Sequence, residues 1–131
     1  MIPQISQAPG VVQLVLNFLQ VLEQQGFTGD TATSYADRLT MATDNSVYQL
    51  LPDAVLFPRS TADVALLARV AAEPRFTSLV FTPRGGGTGT NGQALNGGII
   101  VDMSRYMNRI IEINPEEGWV RVEAGVIKDQ L

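Results

Sequence analysis

The chain has 131 residues, 45% hydrophobic and 17% charged, and its nine basic and thirteen acidic side chains leave a net charge of −4. That length fits one domain, or a piece of a larger one, and a chain of this size buries enough surface for a core without covalent staples. There is no cysteine and no histidine, which excludes disulfides, thiolate or imidazole metal sites, a cysteine nucleophile and any histidine-based triad, while the acidic balance argues against a nucleic-acid binder.

Met1 to Gly10 carries no Lys or Arg, so no export signal is expected there, and the cytoplasm is the expected compartment. No apolar run approaches the roughly 20 residues of a membrane helix. After Pro9-Gly10, residues 11–25 read as a helix. Gln13, Asn17, Gln20 and Gln24 form a single polar stripe of helical period. Nearly all the rest is apolar, so the face must be buried, on its own domain or against a partner or second copy. Residues 28–51 are polar and threonine-rich, with room for a short helix over Ser34 to Met41 and turn chemistry at Asp44-Asn45-Ser46. Ala54-Val55-Leu56-Phe57 has no polar alternation, which predicts a strand buried on both faces of a parallel sheet.

Ser60 or Thr61 opens the next helix, with Asp63 at the capping-box spacing from Ser60. Val64, Leu67, Ala68 and Ala71 are the expected inner face, widened by Leu66 and Val70, and Pro74 ends the element. Ser78 to Thr82 reads as a second buried strand closed by Pro83, and Gly98 to Asp102 as a third. Strand, helix, strand in so short a span is a βαβ unit. Arg109 to Ile113 and Trp119 to Glu123 flank Asn114-Pro115-Glu116-Glu117-Gly118. They predict a β-hairpin with Val120 and Val122 inward and Arg121 and Glu123 outward. Gly125 to Leu131 looks like the start of a helix. A hairpin with one apolar face wants further strands, so the chain is expected to be the N-terminal part of a larger protein.

Seven of the twelve glycines lie between Gly85 and Gly98. Glycines wedged between two core strands leave backbone N–H groups unhindered and able to converge on an anion. Thr88 and Thr90 add hydroxyls, Asn91 an amide, and Arg84 a charge at the rim; the set suits a diphosphate. Gly87-Thr88-Gly89-Thr90-Asn91-Gly92 formally matches the dinucleotide fingerprint. That fingerprint needs a helix directly after the loop, and Gln93 to Gly97 is too short to supply one. No Lys follows the last glycine, so the Walker pattern fails as well.

Pro83-Arg84-Gly85-Gly86-Gly87-Thr88-Gly89-Thr90-Asn91-Gly92 resembles the pyrophosphate loop of FAD-linked oxidases with the vanillyl-alcohol-oxidase (PCMH-type) flavin domain. The resemblance extends through Leu51-Pro52-Asp53-Ala54-Val55, Pro58 to Val64, Gly98 to Ser104 and Glu123-Ala124-Gly125-Val126. Within that family the text is nearest to the D-lactate, glycolate and D-2-hydroxyglutarate dehydrogenase branch, and to large bacterial members that join the flavin module to an iron–sulfur part. The resemblance implies an α+β fold: a small three-stranded parallel βαβ subdomain, then the start of an antiparallel subdomain. Residues 1–27 would form a helical segment and residues 28–131 the N-terminal portion of the FAD-binding domain. It implies that Arg84, Gly85, Gly86, Gly87, Thr88, Gly89, Thr90, Asn91 and Gly92 wrap the FAD diphosphate, and that Gly125-Val126 approaches the cofactor from its other side. A small 2-hydroxy acid and an iron–sulfur cluster would engage parts of the protein beyond these residues. Some members attach flavin covalently through a histidine in this loop; with no histidine in the chain, FAD should be held non-covalently.

No residue stands out as a general base or a metal ligand. Asp37, Asp44 and Asp53 read as turn caps, Glu116-Glu117 as a solvated hairpin tip, and Trp119 as packing. Arg105 and Arg109 are expected to pair with nearby acids, and Tyr48 and Tyr106 are secondary candidates for contact with a ring. A different class of function also fits the loop: a stand-alone nucleotide- or phosphate-binding module without redox activity.

Overall fold

The computed structural model describes residues 10–131. Pro9 and the residues before it, including most of the stretch read for an export signal, lie outside the described residues. Helix α1 spans Gln13–Gln24 and buries Val15, Phe18, Leu19 and Leu22, while the expected polar stripe faces solvent. Those four side chains join the core of the sheet itself, so α1 packs on its own domain.

The sheet has four strands: β1 (Asp30–Ala32), β2 (Ala54–Phe57), β3 (Phe81–Arg84) and β4 (Ile99–Asp102), in the order β1-β2-β4-β3. β2, β4 and β3 run parallel, as expected. β1 was not foreseen; it pairs antiparallel along β2, Asp30 opposite Phe57. The short polar segment Asp30-Thr31-Ala32 carries little intrinsic strand signal, and it is the bare edge of β2 that recruits it.

β2 and β4 occupy the centre and are buried along their whole length, which is why they read as unbroken apolar runs. Their side chains alternate between two cores. Ala54, Leu56, Ile99 and Val101 meet α1 and helix α3 (Thr61–Ala71) on one face. Val55, Phe57 and Ile100 meet Ala32, Met41 and Tyr106 on the other. Phe18 packs edge-on against Phe76 at 5.3 Å between centroids, in an aromatic contact typical of such cores.

α3 begins as expected: Ser60 is its N-cap and accepts from the Asp63 amide. Its inner face differs from the expected one. Asp63, Leu66, Leu67 and Val70 are buried, whereas Ala68 is exposed. The acid at Asp63 made that stripe hard to see, because its carboxylate is buried only through its partners. It accepts from Thr28 N at 2.9 Å, Thr28 Oγ1 at 2.8 Å and Arg59 N at 2.9 Å. Helix α2 (Tyr35–Thr40) is capped by Ser34, which accepts from Asp37 N.

β3 begins three residues later than expected and contains Pro83 rather than ending before it, Pro83 lying opposite Val101. It is an edge strand and only half-buried. An edge tolerates proline because the missing N–H would have faced no partner.

The hairpin forms from β5 (Ile110–Asn114) and β6 (Trp119–Val122), with a register shift between Ile110 and Glu112. The expected outward position does not hold for Glu123, which is buried, at 9% exposure, while Val120 and Val122 are exposed among the described residues. Glu123 sits at the strand base, where the backbone turns inward, and accepts from Arg109 N at 2.9 Å and Arg109 Nη2 at 2.7 Å. Trp119 likewise remains 36% exposed, with Nε1 donating to Glu117 Oε2 at 2.6 Å. Residues 125–131 hold only a short 3₁₀ turn, Lys128–Gln130, in place of the expected helix start.

The Arg109 bonds, side chain first, hold the Glu123 carboxyl below its usual range against the burial that pushes it up. A depressed carboxylate stabilises above its unfolded value of about 4.3 and loses that contribution as pH falls through it. Glu123→Gln is therefore expected to lower hydrogen-exchange protection of the Arg109 amide about fivefold at neutral pH, and to flatten its acid dependence. Amide exchange followed by NMR checks this.

Candidate functional site

β3 and β4 are parallel neighbours, so residues 85–98 must carry the chain from the carboxyl end of one strand back to the start of the next. Such a return is usually made by a helix, which would consume the amides in its own ladder. Here it is an irregular loop, with a single turn closed by Leu95 N donating to Gly92 O at 3.0 Å. No helix rises from Asn91, so the dinucleotide-like spacing is coincidental.

The backbone N–H groups of Gly85, Gly86, Gly87, Thr88, Gly89 and Thr90 donate to no acceptor among the described residues. Asn91 N is the exception, donating to Gln93 Oε1 at 3.0 Å. Gly87 and Gly92 take the left-handed backbone, at φ 66° and 75°, a conformation glycine adopts without cost. A cavity of about 320 Å³ lies over this loop, lined by Pro83, Gly85, Gly86, Gly87, Thr88, Gly89, Gln93 and Ala94. It stands at the carboxyl end of parallel strands, where open sheets bind their ligands. Unpaired amides around a cavity of that size fit a diphosphate.

Of the predicted cradle residues, Gly85, Gly86, Gly87, Thr88 and Gly89 line the cavity, while Arg84, Thr90, Asn91 and Gly92 flank it. Arg84 is not a charge standing at the rim. Its guanidinium folds across the Cα of Gly87, so that a Cβ there would lie 2.8 Å from Cζ. Nη2 donates to Thr43 O at 2.8 Å. Among the described residues, the buried side-chain polar atoms without a partner are Arg84 Nη1 and Asp44 Oδ2. Both belong to the wall under this loop, where Arg84 acts electrostatically on Asp44. Ser46, through its hydroxyl first and its amide as well, holds the Asp44 carboxyl below its ordinary range, against burial. Tyr48 lies beside Gly92, its ring 3.1 Å from where a Cβ on Gly92 would stand.

The remaining candidates make the following contacts within the chain. Gly125 packs against the turn at 103–107: its N–H donates to Met107 O at 2.8 Å, and a Cβ would run into Met103 O. It does not line the cavity. Tyr106 donates its hydroxyl to Asp30 Oδ2 and lies under the Arg59 guanidinium at 3.9 Å. Arg105 and Arg109 pair with Asp30 at 3.6 Å and Glu123 at 2.7 Å, as expected. Asp37 and Asp44 serve their own turns, and the described residues contain no acidic group arranged to hold a metal. No helix among them is long and apolar enough to cross a membrane. Gln93 also lines the cavity; its only sequence signal is its place one residue beyond Gly92.

Residues 52–131 match the family described as FAD binding domain. The whole chain is 90% identical to a D-2-hydroxyglutarate dehydrogenase of Escherichia coli (strain K12), of which it covers 13%. It is 57% identical over its full length to the Haemophilus influenzae protein of that name, again covering 13%. The glycolate oxidase subunit GlcD of Bacillus subtilis is 35% identical over 72% of this chain and 20% of its own. Among solved structures, an alkyldihydroxyacetonephosphate synthase superposes with a TM-score of 0.77 at 21% identity, covering 98% of this chain and 27% of that one; that likeness concerns the fold. The chain thus spans about an eighth of the length of the first curated relatives it matches.

Proposed function

This chain belongs to the FAD binding domain family, and from that membership we propose that Arg84 to Gly92 hold the FAD diphosphate, non-covalently, through backbone amides. The observation that carries the proposal is the run of unpaired N–H groups from Gly85 to Thr90 around the cavity. Gly87 and Gly89 are half-buried, where an N–H ordinarily finds an acceptor, and a run of consecutive unpaired N–H groups, five of them on residues lining the cavity, suits the oxygens of a diphosphate. Thr88 and Thr90 add hydroxyl donors at the exposed rim, and Arg84 braces Gly87 and the Thr43 carbonyl from behind.

For the whole protein we propose a flavin-dependent D-2-hydroxy-acid dehydrogenase, with D-2-hydroxyglutarate as the first substrate to try, on the strength of the 90% identical relative. FAD would supply the two-electron acceptor for oxidation of the hydroxy acid to the oxo acid. These residues would anchor it; none of them is proposed as catalytic. With neither histidine nor cysteine in the chain, a covalent flavin link through an imidazole or a thiol is excluded for these residues. An iron–sulfur centre beyond these residues and a cytoplasmic location complete the proposal, the first checked by iron analysis of the full-length protein.

The test is titration of full-length apoprotein with FAD, ADP and AMP, followed by addition of D-2-hydroxyglutarate. The expected result is tight FAD binding, ADP competing better than AMP, and bleaching of the flavin absorbance by substrate. ADP binding as tight as FAD with no flavin signal would instead favour a nucleotide-binding module without redox activity, a reading that the family match weighs against.

A further inference from the structure

An asparagine followed by glycine can modify itself. The glycine nitrogen, with no Cβ beside it to hinder its approach, attacks Cγ of the asparagine side chain. A bond forms between that nitrogen and Cγ, the bond from Cγ to Nδ2 breaks, and the amide leaves as ammonia with the proton of the N–H. Water then opens the cyclic imide at either carbonyl, giving aspartate or isoaspartate. The chain contains two such pairs, Asn91-Gly92 and Asn96-Gly97, and the fold treats them oppositely. Asn96 is buried and held at both ends of its amide: Nδ2 donates to Val80 O at 2.9 Å, and Oδ1 accepts from Gly98 N at 2.7 Å. Its Cγ cannot turn toward Gly97 N without breaking both bonds. Asn91 is exposed and lies in irregular backbone. Its side-chain amide makes no hydrogen bond among the described residues, and Gly92 N donates to no acceptor there.

The other asparagines are closed to this reaction. Asn17 lies within α1 and accepts from Gln13. Ser46 N, which follows Asn45, donates to Asp44 Oδ1 at 2.8 Å. Asn108 Nδ2 donates to Ser104 O at 2.9 Å. Asn114 precedes Pro115, which has no N–H to give up. We propose that Asn91-Gly92 is a site of spontaneous deamidation, an ageing reaction that puts a carboxylate into the glycine loop and, in the isoaspartate form, an extra carbon into its backbone. Either product works against an anionic ligand, the first by like-charge repulsion and the second by displacing the neighbouring amides. A ligand seated on the loop holds its backbone and slows the ring closure; this last statement rests on the reading of the loop as a diphosphate cradle.

The experiment holds full-length apoprotein in mildly alkaline buffer, where the N–H gives up its proton more readily, and follows each asparagine by peptide mapping with mass spectrometry. Three conditions are compared: native buffer, urea, and native buffer with saturating FAD. In native buffer Asn91 is expected to convert at least about tenfold faster than Asn96, the factor set by hydrogen bonds that must open first. In urea Asn96 should come to within about threefold of Asn91, since the protection belongs to the fold. With FAD bound, as flavin absorbance reports, conversion at Asn91 should slow about threefold or more. Equal native rates at the two pairs, or no conversion at Asn91, would overturn the inference. So would an Asn96 that stays slow in urea, because the difference would then lie in the local sequence. An unchanged rate at Asn91 with flavin bound would overturn the ligand's protection. Failure of FAD to bind is a separate result: it would remove the diphosphate reading and leave the apoprotein rates to decide the deamidation.

Discussion

Gly87→Val is expected to weaken FAD binding by about tenfold to a hundredfold. Gly87 lines the cavity with φ at 66°, a region that a β-branched residue enters only as a strained outlier. Strain of that kind costs about 1–3 kcal/mol, and each 1.4 kcal/mol is a factor of about ten in affinity. The Arg84 guanidinium also occupies the space the new side chain needs. The loop can escape by rotating its backbone or by expelling Arg84, and either move spoils the convergence of the amides. Gly118→Val is the control. Gly118 has the same left-handed backbone, φ 72°, but open space around it, and it sits at the hairpin tip. Its replacement should lower stability and leave FAD affinity within about twofold. Flavin titration of the two variants checks both statements.

Asp63→Ala is expected to destabilise the protein by about 2–4 kcal/mol, since it removes the shared charged acceptor of three part-buried hydrogen bonds. Asp63 is 3% exposed, and its carboxylate ties the start of α3 to the loop before β1 through Thr28 and Arg59. Burial pushes its pKa up, but hydrogen bonds from Thr28 N, Arg59 N and the Thr28 hydroxyl outweigh it, and the net value lies below the ordinary one. The sign follows: the stabilisation is complete above the unfolded carboxyl value of about 3.9 and drains away as pH falls below it. Asp63→Asn should therefore lose stability at neutral pH and show a shallower decline between about pH 4 and pH 2 than wild type. Urea unfolding as a function of pH measures both.

The candidate loop was legible because its signal is local. Seven glycines in one short stretch between apolar strands cannot be a helix or a linker at a domain edge, and unpaired amides follow directly from that. The arrangement of its walls was not legible. Arg84 turns inward because the Thr43 carbonyl, far away in sequence, stands where its guanidinium can reach it. Gln93 lies over Gly89 because the Asn91 amide draws its side-chain oxygen back. Nothing in the composition of either segment predicts those meetings.

The same division runs through the fold. β2, β4 and the start of α3 come from causes carried within a few residues: unbroken apolar runs at Ala54–Phe57 and Ile99–Asp102, and a serine cap at Ser60. The chain alone therefore determined the central strands, the first turn of that helix, the hairpin and the glycine loop. Tertiary structure decided the rest: that Asp30–Ala32 joins the sheet, that Pro83 lies inside an edge strand, that Asp63 and Glu123 are buried, and that Val120 and Val122 are not. Each of these depends on a partner distant in sequence, and a polar or charged side chain is buried only where such a partner supplies the hydrogen bonds that offset its lost hydration.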